Sequence, residues 1–267
     1  MAPPSPSTST GAARRAIPQR TTAWAARLAD LMAAARLTPN GISLASVGCA
    51  ALGAAALVLS GVAVQHGHDG ARAGWLLLAA VCMPLRLLLN MLDGMLAVEK
   101  GMHSPTGELY NEVPDRFSDL LLIAAAGYAT AGVWQAGAVD IGVLLGWLGA
   151  SLAMLTAYVR ALGAAGGVGN FFQGPLAKPR RMWLLVAACL LSLAEPLGQA
   201  RGWILAVALV LIVLGSAATV GIRLWLIGRA LRARAGTADP GAADRDAADP
   251  DAADRDAEEG RPWNGTR

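Results

Sequence analysis

The chain reads as an all-α polytopic membrane protein, six transmembrane helices preceded by an amphipathic helix lying in the membrane interface. Three observations predict this. Hydrophobic residues make up 55% of the 267 residues and charged ones only 15%, far from the balance of a soluble domain. Six apolar stretches, at about 42–63, 73–97, 108–133, 138–161, 181–198 and 202–228, are long enough or nearly so to cross a bilayer. Basic residues collect in alternate connections between them.

Residues 1–16 are rich in Pro, Ser and Thr and lack a long apolar core, which predicts a disordered N-terminus and not a cleaved signal peptide. Residues 17–37 set Trp24, Leu28, Leu31 and Met32 against Arg20, Arg27 and Arg36, the pattern of an interfacial helix resting on anionic lipid. A solvated cytosolic helix is the alternative. Residues 38–233 hold the six spans, which must be helical because hydrocarbon offers no partner for an open backbone. Their abundant Gly and Ala permit close helix approach. From 234 to 267 runs an acidic Asp/Ala repeat with almost no bulky apolar side chain, expected to stay disordered. Cys49, Cys82 and Cys189 fall within apolar spans without a CxxC pair, so they read as small buried hydrophobes. His66 and His68 lie on a connection and read as solvated.

Arg14, Arg15, Arg20, Arg27 and Arg36 precede the first span. Lys100 sits in the second connection, Arg160, Lys178, Arg180 and Arg181 around the fourth, and Arg229, Arg232 and Arg234 after the last; the other connections hold only Arg72 and Arg201. This asymmetry puts both termini in the cytosol of a bacterial-type inner membrane.

Polar residues inside the apolar pattern carry the chemistry. Asn90, Asp93 and Ala97 fall at i, i+3 and i+7, and Gly107, Asn111, Asp115 and Asp119 follow at successive i+4 steps, so each set lines one helix face. Oxygen ligands at membrane depth are costly and mark a functional site. Two such faces form a cage suited to Mg²⁺ or Mn²⁺. Asn90 lies 15 residues beyond Trp75, roughly 22 Å along a helix, which sets the site within the membrane near its cytosolic face.

The same residues resemble the CDP-alcohol phosphotransferase family, whose pattern is Asp-x2-Asp-Gly-x2-Ala-Arg, eight or nine residues, then Gly-x3-Asp-x3-Asp. Asp93, Gly94, Ala97, Gly107 and Asp115 match at the required separations; Asn90, Asn111 and Val98 replace two aspartates and the arginine. Upstream, Thr38-Pro39-Asn40 with Ser43 resembles the family's Thr-Pro-Asn-x2-Thr entry to its first span. The resemblance covers roughly 17–233.

It implies a membrane-embedded transferase that moves a substituted phosphate, phosphatidyl from CDP-diacylglycerol, to a small polar alcohol and releases CMP. By position Asp93 is a metal ligand, with Asn90 and Asn111 at ligand positions. Asp115 is the base that takes the alcohol proton and also touches metal, while Gly94, Ala97 and Gly107 let the nucleotide pack closely. Losing two carboxylates lowers the charge available to a cation, and Asp119 is the candidate that compensates. Arg86, four residues before Asn90, is expected to pair with Asp93 or a neighbouring carboxylate, and Lys100 to stand in for the missing arginine. Arg160, Lys178, Arg180 and Arg181 are candidates for an acceptor pocket, against the plainer reading that they set topology. A homodimer surrounded by membrane lipid is implied, and no nucleic-acid partner. Two other readings stay open: a degenerate relative that binds lipid or nucleotide without turnover, and an ion or solute transporter.

Overall fold

In the computed structural model, which describes residues 22–99, 107–198 and 201–238, the apolar runs become helices. They are α1 (Ala23–Ala34), α2 (Pro39–Gln65), α3 (Asp69–Glu99), α4 (Gly107–Ala129), α5 (Ile141–Ala165), α6 (Lys178–Leu191) and α7 (Trp203–Ala238). A 3₁₀ segment, Ser192–Gly198, prolongs α6. Two short antiparallel strands, β1 (Gln135–Ala136) and β2 (Val139–Asp140), form a hairpin between α4 and α5.

Local chemistry sets the helix starts. The Thr38 hydroxyl accepts from the Gly41 amide at 3.2 Å, with Pro39 in the first helical position of α2, where its missing N–H costs nothing. Asp140 caps α5 by accepting from Val143 N at 3.0 Å. Its other oxygen accepts from Gly132 N at 2.6 Å and Gln135 Nε2 at 2.8 Å, so one carboxylate closes the whole connection.

Among the described residues, four helices are long and apolar enough to cross a membrane: Pro39–Gln65, Asp69–Ala97, Ile141–Ala165 and Trp203–Ala235. Together with the helical fold they fit an integral membrane protein. The other two expected spans differ for identifiable reasons. Glu112, Asp115, Arg116 and Asp119 interrupt the first half of α4, and α6 has only 14 residues before the 3₁₀ segment.

The chain divides into two compact units, Met1–Leu224 and Trp225–Arg267. In the first, α2 packs on α3 and α4, α4 on α5, α3 on α6 and α1 on α3. Leu57, Leu76, Met83, Leu122, Ile123, Leu185 and Leu209 are among its buried side chains. Apolar burial drives little association inside lipid, so dense contact has to hold these helices together. Glycine supplies it: a Cβ on Gly146 would stand 2.7 Å from the Cα of Gly127, and one on Gly61 would stand 2.5 Å from the Tyr128 carbonyl oxygen. A smaller cluster sets Ala25 and Ala29 of α1 against Met91, Leu92, Met95 and Leu96 of α3. In the second unit, residues 225–238 are helical, and the Arg229 guanidinium lies 5.6 Å from the centre of the Trp225 ring.

Boundaries differ modestly from expectation. Of the expected 17–37 helix, Ala23–Ala34 is α1. α7 runs past 234 to Ala238 because the alanines and arginines there are good helix formers. The N-terminal stretch to residue 21, Lys100 and the tail from 239 lie outside the described residues. Cys82 and Cys189 are buried, Cys49 is half-buried, and all three are free thiols.

Near the start of α3, the Arg72 guanidinium pairs with Glu195 and donates to the Ser192 carbonyl at 3.1 Å. Glu195 also accepts from the amides of Gly202 at 2.8 Å and Ile204 at 2.7 Å. Both charged side chains are almost wholly buried. This ties α3, the 3₁₀ segment and the start of α7 together at the end of α3 away from Asp93. Breaking a buried pair leaves one charge without compensation. Arg72→Met is therefore expected to destabilise the detergent-solubilised protein by about 3 kcal/mol. Adding Glu195→Gln should recover part of that loss; a strictly additive thermal-unfolding cycle would show that the two side chains are uncoupled.

Candidate active site

Two prolines stand just before the polar faces: Pro84 in α3 and Pro114 in α4. Each removes one rung of its helix ladder. Beyond them, Arg86, Asn90 and Asp93 share one face of α3, and Asp115 and Asp119 share one face of α4.

The two faces meet through hydrogen bonds. The Asn90 amide nitrogen donates to Asp115 Oδ1. Arg86 Nη2 donates to the same oxygen at 3.1 Å and to the Asp115 carbonyl at 3.2 Å. It also lies 2.8 Å from Asp119 Oδ1, an ion pair without hydrogen-bond alignment. From α6, Lys178 Nζ donates to Asp115 Oδ2, and Arg181 Nη2 donates to Asp119 Oδ2 at 3.1 Å. Arg181 is held from behind by the Leu176 carbonyl at 2.9 Å and Thr156 Oγ1 at 3.4 Å. Arg86, Asp119 and Arg181 are buried. With that burial their charges must be matched locally, and the geometry matches them.

Arg86 thus pairs with Asp115 and Asp119, not with Asp93. Asp93 is 3% exposed, and its Oδ2 accepts from the Ser43 hydroxyl of α2 at 2.6 Å, while its Oδ1 has no hydrogen-bond partner. Ser43, which helical spacing alone does not link to Asp93, is its partner from α2. Its signal was present, since it holds the threonine position of the Thr-Pro-Asn-x2-Thr entry, one helical turn after Pro39.

The four candidate acceptor cations do not converge on one point. Lys178 is on Asp115 and Arg181 on Asp119. Arg160 donates to Glu112 Oε2 at 2.7 Å and sits 5.6 Å over the Phe172 ring, and Arg116 pairs with the same carboxylate. Arg180 is exposed and donates to the Pro175 carbonyl of its own loop at 2.9 Å. A further arginine, Arg223, donates to the carbonyls of Thr156 at 2.6 Å and Gln173 at 3.0 Å, anchoring the loop before α6. Gly94 and Ala97 are half-buried on the motif face of α3. Gly107 opens α4 onto free space, where a Cβ would meet no atom within 4 Å. The side chains of Asn111, Glu108 and Val98 lie outside the described ones.

The residues accept a hard cation on one side. Asp93 offers a buried carboxylate oxygen without a partner. With the Asn90 nitrogen turned to Asp115, its carbonyl oxygen is the atom left to ligate. The Asp115 side differs, since both of its oxygens already carry donors. Among the described residues there is no group of three or more His, Cys, Asp or Glu placed to hold a metal.

The family model for CDP-alcohol phosphatidyltransferase matches residues 36–226. No curated protein matches the chain. Crystal structures of the Mycobacterium tuberculosis phosphatidylinositol phosphate synthase share the fold. Its complex with manganese and citrate superposes with a TM-score of 0.59 at 19% identity, covering 76% of this chain and 88% of that one. Its form with CDP-DAG bound gives a TM-score of 0.59 at 19% identity, covering 76% and 92%. The apo form gives 0.56 at 21%, covering 74% and 93%. With the family model spanning well over half of the sequence, on the helices that carry Asn90, Asp93 and Asp115, the chain belongs to the CDP-alcohol phosphatidyltransferase family, membrane enzymes that transfer a substituted phosphate from a CDP-linked donor to an alcohol.

Proposed function

We propose that this enzyme transfers phosphatidyl from CDP-diacylglycerol to a small polar alcohol at the cytosolic face of the membrane, releasing CMP. The observation that carries this reading is the joining of the two polar faces, with Asn90 and Arg86 of α3 hydrogen-bonded to Asp115 of α4, on the face of α3 where the buried Asp93 keeps an oxygen without a hydrogen-bond partner. The structural neighbour's complexes with CDP-DAG and with manganese support the donor and the metal.

Asp93 would hold Mg²⁺ or Mn²⁺, with Asn90 and Asn111 at the flanking ligand positions. The bound ion supplies charge neutralisation and orientation to the donor's pyrophosphate. Ser43 fixes the Asp93 carboxylate by its 2.6 Å hydrogen bond. Asp115 takes the acceptor's hydroxyl proton on a carboxylate oxygen as the alcohol oxygen bonds to the phosphatidyl phosphorus. The bond to the bridging oxygen breaks, and CMP leaves with that electron pair. Asn90, Arg86 and Lys178 aim Asp115, and Asp119 holds Arg86 and Arg181 in place. Gly94, Ala97 and Gly107 form the nucleotide side. Of the candidate acceptor residues Arg160, Lys178, Arg180 and Arg181, the first two keep 22% of their side chains exposed and so remain able to reach substrate, whereas Arg181 is taken up by Asp119 and Arg180 by the Pro175 carbonyl.

The wider reading is of an interfacial helix that includes α1, followed by a six-span membrane domain. Both termini face the cytosol, and two copies pair in the membrane. Basic residues in alternate connections support the orientation.

Thorough chelation is expected to abolish CMP release from CDP-diacylglycerol, with Mn²⁺ or Mg²⁺ restoring it; undiminished turnover without divalent ions would overturn the metal assignment. Asp115→Asn should keep much of its metal and CDP-lipid binding yet lose turnover by a factor on the order of 10² or more. Asp93→Ala should lose metal binding and turnover together, and the reverse pattern would exchange the two roles.

Orientation has its own test. In a background lacking Cys49, Cys82 and Cys189, a cysteine placed beside His68 should react with an impermeant thiol reagent on intact cells, and one beside Lys100 should be protected. The opposite labelling would turn the bundle over.

A further inference from the structure

The ion-paired residues of the inner site carry their own countercharges. Arg86, Lys178 and Arg181 are paired with Asp115 and Asp119, and with Asp93, held by Ser43 on the neighbouring face, this inner group has three cations and three carboxylates. Glu112 with Arg116 and Arg160 forms a separate, more exposed cluster at the rim, where water screens its charge. Within the inner group, the position a second divalent ion would need is filled. Lys178 Nζ is on Asp115 Oδ2, and Asn90 and Arg86 are on Asp115 Oδ1. Of these three carboxylates, Asp119 Oδ1 lacks a hydrogen bond but is ion-paired with Arg86, and Asp93 keeps a buried oxygen with neither.

Substrate charge sharpens the argument. Each phosphate of a pyrophosphate diester carries one negative charge, so the donor brings two. A single divalent ion offsets them and returns the inner site to neutrality. A second would leave two uncompensated positive charges in a buried, membrane-embedded site, which is costly. Asn90 fits the same account: its amide donates to Asp115, whereas an aspartate there would oppose Asp115 until a cation came between them.

Resting on the transferase reading above, we infer that this site takes one divalent ion, on the Asp93 side, and that the Lys178 ammonium is the built-in cation on the Asp115 side, facing the donor's pyrophosphate. Lysine suits the task as a compact charge with three rotatable donors, able to stay on Asp115 while a second N–H reaches a phosphate oxygen.

Counting Mn²⁺ on the full-length protein in nanodiscs, by electron paramagnetic resonance with CDP-diacylglycerol present, tests this directly. The unaltered chain should bind about one ion. Asn90→Asp with Asn111→Asp should bind Mn²⁺ more tightly but still take about one, because Lys178 keeps its place. Adding Lys178→Met to that pair should raise the count to about two, and adding Lys178→Arg instead should leave it at about one. Two ions on the unaltered chain, two on the Asn-to-Asp pair alone, or no rise with Lys178→Met would each overturn the inference. The count on the unaltered chain decides even where a variant fails to fold. CMP release is measured on the same samples: its absence with every acceptor would sink the transferase reading, while the ion counts still decide the role of Lys178.

Discussion

Arg86 is the interaction on which the site depends. Its guanidinium is wholly buried, and one terminal nitrogen reaches Asp115 at 3.1 Å and Asp119 at 2.8 Å. A cation that deep in a membrane bundle has no water to fall back on, so it holds α3 and α4 in one register or is left bare at a cost of several kcal/mol. Arg181 repeats the arrangement from α6 by taking the other oxygen of Asp119. The chain Arg86–Asp119–Arg181 therefore fixes three helices around the face on which Asp115 and Asp93 stand. Asp119 lies outside the family's motif and does no chemistry on this reading. Its work is to keep two arginines neutralised so that the motif residues have somewhere to be.

The fold was largely legible in the sequence because a bilayer imposes long apolar helices, and the runs beginning near 42, 73, 138 and 202 became α2, α3, α5 and α7. The weaker signals lay where function interrupts hydrophobicity. α4 carries Glu112, Asp115 and Asp119 in its first half, and α6 is short and begins with Lys178, Arg180 and Arg181. The face-sharing of Asn90 with Asp93, and of Asp115 with Asp119, followed from helical spacing alone. The partners across helices did not, because spacing says nothing about which residue of α6 or α2 lies opposite. That Lys178 meets Asp115, and that Ser43 meets Asp93 from fifty residues upstream, are tertiary facts. Likewise, Lys178, Arg180 and Arg181 are close in sequence and with Arg160 suggest one pocket, yet the start of a helix points its side chains in different directions. Arg180 turns out to solvent while Arg181 turns in.

The bundle is tied by charge at two levels of α3. Arg72 near its start is satisfied by Glu195 and the Ser192 carbonyl, and Arg86 further along by Asp115 and Asp119. Between them the contacts are mostly apolar and close on glycine, as where a Cβ on Gly53 of α2 would stand 3.0 Å from that of Cys82, with one weak bond from Cys49 Sγ to the Cys82 carbonyl at 3.4 Å. Such packing sets distance well but resists sliding poorly, since one small residue serves as well as the next along an alanine-rich face. Ionic contacts with a definite geometry supply the missing register. Arg72 and Arg86 are 14 residues apart, roughly 21 Å along the helix, which leaves α3 little freedom to slide past its neighbours.

Register in turn gives meaning to Asn90. Its amide nitrogen donates to Asp115 across the α3–α4 contact, a bond that an aspartate at the same place could not make while ionised. Where two carboxylates face each other, the site is held open by repulsion until cations arrive. Where a carboxamide faces a carboxylate, the two helices are joined beforehand and the carboxylate is already held in place. The exchange gives up negative charge that a metal would value and gains an arrangement that stands by itself. Lys178 completes it by covering the second oxygen of Asp115. Asp93 is then the one carboxylate of the inner site with a buried oxygen free of both hydrogen bonds and ion pairs, and that is where an incoming cation has something to gain.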